Sequence, residues 1–251
     1  MREIIAVVNQ KGGVGKSTTA EAMGAWLTLK GYKVLYIDLD AQGNLSYTLG
    51  TDNKGLTAMD ILARSKSAED AIKHTEQRDI IASSPALAGA DTIITTTGKE
   101  YRLREALEPV KKMYDYIIID TPPALGILTI NALTACTGAI IPAQADIYSL
   151  QGIGQLYSTI DTVKRYCNPT LTIKGIVLTR YNPRTIISRD VADMIEETAG
   201  RLHTRLHKAK IRECIAIKEA QATEQTIFSY APKSNAAADY KALVNEIIGE
   251  E

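Results

Sequence analysis

Gln10-Lys11-Gly12-Gly13-Val14-Gly15-Lys16-Ser17-Thr18-Thr19 is the stretch that decides the fold of this 251-residue chain. The apolar run 4–8 before it is short and β-branched, as in a buried parallel strand, and Asn9 bounds it. The apolar spacing over 18–30 after it is typical of a helix that stops at Gly31. Strand, glycine-rich loop and helix in this order predict a site for a nucleoside triphosphate in an α/β fold.

The residue types in this loop each have a chemical use at a phosphate. Glycines let the backbone turn sharply and bring its N–H groups against phosphate oxygens, and the helix N-terminus adds a favourable dipole. Lys16 supplies a point charge to the outer phosphates, and the Ser17 hydroxyl supplies a ligand to Mg²⁺. The predicted contacts to the nucleotide are Gly12, Gly13, Val14, Gly15, Lys16, Ser17 and Thr18.

Three aspartates stand at the ends of two further predicted strands. Asp38 and Asp40 follow the apolar residues of a strand predicted over 33–38, and Asp120 ends a strand predicted over 115–120. Because open α/β sheets bind ligands at the C-terminal ends of their strands, we expect these carboxylates to converge on the magnesium and the terminal phosphate. Asp120 is predicted to hold Mg²⁺ through water, and Asp38 is expected to lie near the metal. The alternative is that these aspartates are turn or capping residues.

The start of the loop departs from the general pattern, because Gln10 stands where the first glycine is usual. Lys11-Gly-Gly-Val-Gly-Lys16-Ser-Thr resembles instead the deviant P-loop of the group that includes ParA, MinD, the nitrogenase iron protein and ArsA. The resemblance implies that Lys11 crosses a dimer interface and binds the phosphates of the partner subunit. A glycine turn with two solvated lysines is the alternative to a phosphate loop.

Four later segments extend the resemblance over nearly the whole chain. They are Asp38-Leu-Asp40-Ala-Gln-Gly-Asn44, Asp120-Thr-Pro-Pro-Ala-Leu-Gly126 with the following Asn131-Ala-Leu, 141–152 and 234–240. Ordered along one chain, these segments and the loop make it similar to the ParA/Soj-type DNA-partition ATPases. The resemblance implies a slow, Mg²⁺-dependent ATPase in which Asp40 orients the attacking water. The catalytic residues that it implies are Lys11, Lys16, Asp40 and Asp120.

The same resemblance implies a switch driven by ATP. We expect a homodimer that forms with ATP and Mg²⁺, binds double-stranded DNA nonspecifically, and is released by hydrolysis that a ParB-like centromere-binding protein stimulates. Such a cycle partitions a plasmid, a chromosome or a mobile element, and it places the protein in the cytoplasm on the nucleoid. The alternatives are a MinD-like membrane-surface ATPase and a relative that positions a protein cargo.

Positive charge is concentrated between Arg201 and Lys218, although the formal net charge of the chain is zero. Any DNA must therefore be bound by local charge, through contacts to phosphates that carry no sequence information. The resemblance implies that basic residues in this half of the chain bind DNA. The alternative is that they form a solvent-exposed face of a helix and a loop. The expected contacts are Arg184, Arg189, Lys208, Lys210, Arg212 and Lys218.

The segment after Lys210 departs from the pattern of the apparent relatives. They carry Ile-Pro-Arg-Asn-Val-Arg before a Glu-Ala pair, whereas this chain has Ile211-Arg-Glu-Cys-Ile-Ala-Ile-Lys218. An arginine implicated in DNA binding aligns with Ala216, so either Lys218 or Arg212 compensates or the DNA surface has moved. In relatives this segment and the one after the strand at 171–179 both lie near the adenine. The resemblance therefore implies base contacts from Asn182 and from the backbone near 211–213, with Arg212 among them.

We predict one α/β domain over 1–251, with a doubly wound, mainly parallel β-sheet flanked by helices on both faces. The polar segment Thr92–Glu100 is predicted to be a surface loop. No run of eighteen apolar residues occurs and Met1 begins the first strand directly, so we expect no membrane span, signal peptide or preceding helix-turn-helix domain. The predicted strands lie near 4–9, 33–38, 79–83, 115–120, 138–142 and 171–179.

Two remaining features bear on the alternatives. Cys136, Cys167 and Cys214 lack a metal-ligand spacing, which predicts unpaired thiols in a reducing compartment and disfavours the iron protein branch. The final residues 239–251 have helical spacing with an acidic polar face, which an anionic membrane would repel. We therefore expect this helix to pack on the core, and we expect no membrane partner.

Overall fold

Seven strands form the central sheet of the computed structural model, which describes residues 3–52, 54–75 and 78–250. They are β1 (Glu3–Val7), β2 (Val34–Asp38), β3 (Ile72–His74), β4 (Asp79–Ile81), β5 (Tyr116–Asp120), β6 (Gly138–Ala143) and β7 (Thr172–Leu178). Their order across the sheet is β3-β4-β2-β5-β1-β6-β7. All neighbouring strands are parallel except β3 and β4, which are antiparallel. The predicted doubly wound, mainly parallel sheet is confirmed.

The described helices lie on both faces of this sheet. They are α1 (Lys16–Leu29), α2 (Asn44–Thr48), α3 (Ala58–Leu62), α4 (Ala68–Ala71), α5 (Ala90–Ile93), α6 (Arg102–Leu107), α7 (Ile127–Ala135), α8 (Ile147–Tyr166), α9 (Ile186–Arg201), α10 (Ile215–Ala222), α11 (Ile227–Tyr230) and α12 (Asn235–Ile248). Successive side chains of a strand point to opposite faces, so β1 contributes Ile4 and Ala6 to one core cluster and Ile5 and Val7 to the other. The first cluster packs against α3, α6, α7, α8 and α9, and the second against α1, α2, α11 and α12.

Two sequence predictions differ from the structure in detail. The edge strand β3 was not predicted, because it has three residues and buries only Ile72 fully, which leaves no apolar alternation to detect. The segment Thr92–Glu100 is a loop only in its middle, since its first residues complete α5 and its last begin a 3₁₀ turn at Lys99–Tyr101. The burial of Ala90 and Ile94 holds α5 against the core, and this tertiary contact overrides the polar local composition.

The C-terminal helix α12 packs on the core beside α1, as predicted. Its apolar face is buried through Tyr240, Leu243, Val244 and Ile247, and Trp26 donates a hydrogen bond of 2.8 Å from Nε1 to Asn245 Oδ1. Within the part of the chain that the structure describes, no helix combines the length and the apolar character needed to cross a bilayer. The three cysteines are unpaired, and Cys136 is fully buried.

The parallel strands bring six loops to one edge of the sheet. Val7 pairs in register with Asp120, and Asp38 pairs with Asp120 from the other side of β5. The loops that follow β1, β2, β4, β5, β6 and β7 therefore leave from the same C-terminal edge. Open α/β sheets bind their ligands at this edge.

Candidate nucleotide site

The loop between β1 and α1 has the backbone that a phosphate cradle needs. Gly13 and Gly15 adopt φ angles of 74° and 84°, in the left-handed region that side chains with a Cβ atom rarely enter. Gly15 immediately precedes α1, so the first free N–H groups of a 14-residue helix open onto the loop. The glycines at these two positions are therefore required by the turn itself.

Distant parts of the sheet hold this loop in place. Asn9 Oδ1 accepts a hydrogen bond of 2.9 Å from the backbone N–H of Lys11, while Asn9 Nδ2 donates to the Pro142 carbonyl at 2.6 Å. The Thr179 hydroxyl donates to the Val14 carbonyl at 2.8 Å. The ends of β6 and β7 thus fix the loop on two sides. Asn9 and Thr179 carry no local sequence signal for this task.

Lys16 is buried at the bottom of the loop, with only 7% of the residue exposed. Its Nζ donates a hydrogen bond of 3.3 Å to the Lys11 carbonyl. Burial lowers the pKa of Lys16, and the negative charges of Asp120 and Asp40 partly oppose that shift. A desolvated cation of this kind is poised to bind an anion, as the sequence predicts.

A cavity of about 480 Å³ opens above the loop. Residues from the loop, from the segment after β2 and from the segment after β5 line it together, so it has room for a triphosphate and a metal ion. The lining residues include Gly12, Gly13, Gly15, Lys16, Ser17, Thr18, Asp40, Gln42, Asn44, Tyr47, Thr48, Pro123 and Gln221. The predicted loop residues are thus brought together with Asp40.

Asp120 is the buried carboxylate at the centre of the site. It is fully buried, and neither oxygen has a hydrogen-bond partner among residues 3–52, 54–75 and 78–250. Burial raises the pKa of Asp120 well above its usual range and the Asp38 charge adds to the shift, while Ser17 and Lys16 oppose it. An orphaned buried carboxylate next to a serine hydroxyl fits Mg²⁺, which prefers oxygen ligands and neutralises such a charge.

Asp38 is placed differently from Asp120. Its Oδ2 accepts hydrogen bonds of 2.8 Å from both the backbone N–H and the hydroxyl of Ser46, and its Oδ1 accepts one of 3.1 Å from the Asp40 N–H. Burial raises the pKa of Asp38 to about 6, against these hydrogen bonds. The hydrogen bonds of this carboxylate therefore fix the segment that follows β2.

The three aspartates do not form a ready-made metal cage. No group of three His, Cys, Asp or Glu side chains able to hold a metal occurs in the described part of the chain. The charges of Asp38 and Asp40 both act on Asp120, so the expected convergence of the three carboxylates on a metal stays a prediction. Asp120 is left open toward a metal, whereas Asp38 accepts hydrogen bonds from Ser46 and Asp40. The remaining ligands would come from Ser17, from phosphate oxygens and from water.

Asp40 lies at the wall of the cavity in a short turn. Its Oδ1 accepts a hydrogen bond of 3.1 Å from the Gln42 N–H, and its carbonyl accepts hydrogen bonds from Ser83 and Gly43. These contacts fix the backbone of the turn, and the residue itself lines the cavity. The placement suits the predicted role in orienting water, which stays a prediction.

A second cavity of about 200 Å³ adjoins the first and shares Gly13, Gly15, Thr18 and Gln221 with it. The segment 211–218, the end of β7 and Tyr240 form its other walls, and Ile211, Ile217 and Tyr240 give it apolar surface suited to a base. Gln221 Nε2 donates a hydrogen bond of 2.9 Å to the Thr18 hydroxyl, 203 residues away. The sequence did not predict a role for Gln221 in the site, because this residue lies in an ordinary helical pattern.

Of the two side chains predicted to contact the base, the structure places one in the second cavity and the other outside it. Arg212 lines the second cavity, whereas Asn182 does not, and Asn182 Oδ1 instead accepts a hydrogen bond of 3.0 Å from the Arg184 N–H. The Arg212 guanidinium binds Asp239 in a two-pronged ion pair of 2.9 and 2.6 Å. Hydrogen bonding to Asp239 raises the pKa of Arg212. Its side chain is therefore occupied within the subunit.

The other residues predicted to bind DNA lie around the end of β7. Arg184, Arg189, Lys208 and Lys218 are exposed, while Lys210 is half-buried with its Nζ 4.7 Å from the centre of the Tyr181 ring. The backbone of 205–211 runs beside β7, with hydrogen bonds between the two. The basic window is thus largely an extended segment of the sheet edge. Its contact with DNA remains a prediction.

The chain is similar in sequence to known proteins over nearly its full length. The sequence profile of a family described as "AAA domain" matches residues 2–173. The sporulation initiation inhibitor protein Soj of Bacillus subtilis (strain 168) is 41% identical over 252 residues, which cover 98% of each chain. The chromosome partitioning protein ParA of Myxococcus xanthus (strain DK1622) is 37% identical over 250 residues, covering 98% of this chain and 87% of that protein.

A solved structure shares both the fold and a third of the sequence. Cobyrinic acid a,c-diamide synthase from Mycobacterium smegmatis, with bound ATP analogue and magnesium, superposes with a TM-score of 0.85 at 33% identity. The match covers 98% of this chain and 93% of that one. These similarities agree with the resemblance carried by the loop and by the later segments.

Proposed function

The chain belongs to the ParA/Soj family of P-loop ATPases, and from this premise we propose that it is a Mg²⁺-dependent, ATP-driven dimeric switch that binds DNA nonspecifically. The observation that carries the proposal is the cavity built around Lys16 and Asp120. A buried cation lies close to Ser17, as does a buried carboxylate with no hydrogen-bond partner within the part of the chain that the structure describes. A magnesium-bound triphosphate would neutralise both charges.

The chain's own residues divide the work at the nucleotide. The first cavity takes the triphosphate against the backbone N–H groups of the loop and Lys16, and the second takes the base beside Tyr240. Magnesium, when bound through Ser17 and Asp120, neutralises charge on the outer phosphates. Asp40 holds the attacking water. Turnover is slow, because the cavity offers positioning rather than a strong general base.

The pairing of two subunits is supported by the surface around the cavity. Exposed apolar side chains surround the nucleotide edge of the sheet, where they follow the C-terminal ends of β2, β6 and β7. They are Tyr47, Ile147, Tyr148, Ile186 and Ile187. A second copy docked on this edge covers them and brings Lys11 to the opposite triphosphate. Dimerisation then depends on the nucleotide.

DNA binding is proposed for the dimer rather than for the monomer. Doubling a set of exposed basic residues that includes Arg184 and Lys208 doubles the phosphate contacts and steepens the dependence of affinity on salt. The Myxococcus relative is a chromosome partitioning protein. We extend that task to this chain, in the cytoplasm on the nucleoid, with a ParB-like protein as the activator of hydrolysis.

Retention on random-sequence DNA tests the proposal, measured with ATP and with ADP beside co-sedimentation with anionic liposomes. ATP-dependent DNA retention is expected, and Lys16→Ala should lose it together with nucleotide binding. Arg184→Ala with Lys208→Ala should reduce the salt slope, while Lys66→Ala, an exposed lysine on the opposite side of the sheet from β7, should not. ATP-dependent liposome binding without DNA retention would overturn the proposal in favour of a membrane-surface switch. Binding to neither would point to a protein cargo.

A further inference from the structure

Lys11 is held inside its own subunit by an ion pair that the proposed cycle has to break. Its Nζ lies 2.5 Å from Asp146 Oδ2, across 135 residues of sequence. The two side chains are 30% and 33% exposed. Asp146 stands in the loop between β6 and α8, next to the phosphate loop. The lysine expected to cross to a partner therefore points at its own sheet edge.

Asp146 is held rigidly in this position. It is the N-cap residue of α8, and its Oδ1 accepts a hydrogen bond of 2.9 Å from the Ser149 N–H. The same loop contacts the phosphate loop through Gln144, whose Nε2 donates a hydrogen bond of 3.2 Å to the Gly13 carbonyl. A carboxylate fixed by the end of a 20-residue helix gives Lys11 a preorganised partner.

We propose that Asp146 is a latch that holds Lys11 in the unpaired subunit and competes with the partner's triphosphate for it. The inference rests on the proposed function, because it takes Lys11 to be the crossing lysine. One amine cannot be in contact with Asp146 and with a phosphate of another subunit at the same time. Each dimer that forms by this route therefore breaks two ion pairs. At each of them, the partner's triphosphate has to bind the Lys11 amine more favourably than the Asp146 carboxylate does.

The surface next to the latch makes it responsive to docking. Ile147 and Tyr148 directly follow Asp146 and are 45% and 76% exposed. Because they belong to the first turn of α8, a second copy that covers them presses on the turn that Asp146 caps. Contact by the partner and release of Lys11 thus involve the same few residues.

The size of the effect follows from the exposure of the pair. A partly solvent-screened ion pair shifts an equilibrium by up to about fivefold, so two pairs shift dimerisation by roughly two- to thirtyfold. Asp146→Asn removes the charge and keeps a good N-cap, and Asp146→Ser is a second uncharged cap. Asp161→Asn is the matched control, since Asp161 lies on the same helix in an exposed pair with Arg165.

Sedimentation velocity with Mg²⁺ and a nonhydrolysable ATP analogue tests the latch. We expect Asp146→Asn and Asp146→Ser to dimerise with a Kd at least twofold lower than the wild type and Asp161→Asn, at unchanged affinity for the analogue. An unchanged or higher dimer Kd in both Asp146 variants, with normal circular dichroism, would overturn the latch while leaving the switch intact. If the wild type binds the analogue and stays monomeric at high concentration, the proposed dimer itself fails and the latch fails with it.

Discussion

At the scale of single residues, the site works by placing charges where water cannot screen them. Lys16 and Asp120 are both buried, and the charge of each acts on the pKa of the other. Burial without a full set of hydrogen bonds costs stability. We infer that the protein without ligand stores at Asp120 part of the free energy that binding later releases.

Asp120→Asn should therefore stabilise the ligand-free fold and abolish hydrolysis. The pKa of Asp120 is raised in the folded state, so ionisation disfavours folding increasingly as the pH rises above the ordinary carboxylate range. Removing the charge should raise the free energy of unfolding by roughly 1–3 kcal/mol at pH 7. Thermal melting with EDTA and with Mg²⁺-ATP measures this, and a lower melting temperature in EDTA would contradict it.

Asp40→Ala should separate binding from hydrolysis. Asp40 lines the cavity, and among the described residues its carboxylate accepts a hydrogen bond from the Gln42 N–H rather than from the phosphate loop. Losing its carboxylate should slow ATP hydrolysis by roughly 10²-fold or more while nucleotide affinity stays near that of the wild type. Steady-state turnover and calorimetric titration give the two quantities. The variant should also stay on DNA with ATP, and a wild-type turnover rate would remove Asp40 from its role.

At the scale of elements, the edge of the sheet is joined to the C-terminal helix through a buried histidine. His207 is fully buried beside β7, and its Nδ1 lies 3.1 Å from Glu246 Oε1 on α12. The Glu246 carboxylate also accepts hydrogen bonds of 3.1 Å from the backbone N–H groups of Lys208 and Ala209. This contact attaches α12 to the segment that carries the predicted DNA residues.

Stability should fall as the pH drops below about 6.5, the ordinary pKa of histidine. Burial lowers the pKa of His207, against the charge of Glu246, so the unfolded chain takes up a proton that the folded state resists. His207→Gln should flatten the slope of unfolding free energy between pH 7 and 5. His203→Asn, at an exposed position nearby, is the control and should keep the slope.

Gly175 in β7 packs directly against the same histidine, His207. A Cβ atom on Gly175 would lie 2.4 Å from His207 Nε2 and 3.1 Å from the Arg205 carbonyl. Gly175→Ala should therefore cost roughly 1–3 kcal/mol of unfolding free energy in urea denaturation. Gly154→Ala in α8 has open space around its Cβ and should instead stabilise by about 0.5–1 kcal/mol. Equal effects at both sites would refute the packing argument.

At the scale of the whole molecule, we expect nucleotide binding and pairing to be separate events that are joined by one side chain. Lys11 contributes its backbone to the phosphate loop, while its side chain reaches Asp146 in the same subunit. We therefore expect nucleotide binding by a monomer not to need the amine. Pairing does need it, if the amine reaches the opposite triphosphate.

Lys11→Ala should bind Mg²⁺-ATP with an affinity close to that of the wild type and lose the ATP-dependent dimer. Light scattering against protein concentration measures the dimer, and fluorescence of a labelled ATP analogue measures binding. DNA retention should fall with the dimer, because the doubled set of phosphate contacts disappears. Normal dimerisation of this variant would contradict the prediction that Lys11 binds the triphosphate of the partner subunit.

Much of the fold was predictable because its signals are local. The apolar strands, the glycine loop and the helix after it stand in order along the chain, and the observed strands fall at all six predicted places. The burial of α12 was predictable for the same reason. Edge strand β3 was not, because three residues with one buried side chain carry no periodic signal.

The amino-acid sequence by itself determined the phosphate loop, since left-handed turns at Gly13 and Gly15 and the charge of Lys16 are properties of neighbouring residues. Only the tertiary structure decided which distant residues contact the side chains of the loop. Asp146 meets Lys11 and Gln221 meets Thr18 across 135 and 203 residues, and the oxygens of Asp120 have no hydrogen-bond partner among the described residues. Contacts over such separations depend on how strands and helices assemble in space, which no local pattern encodes.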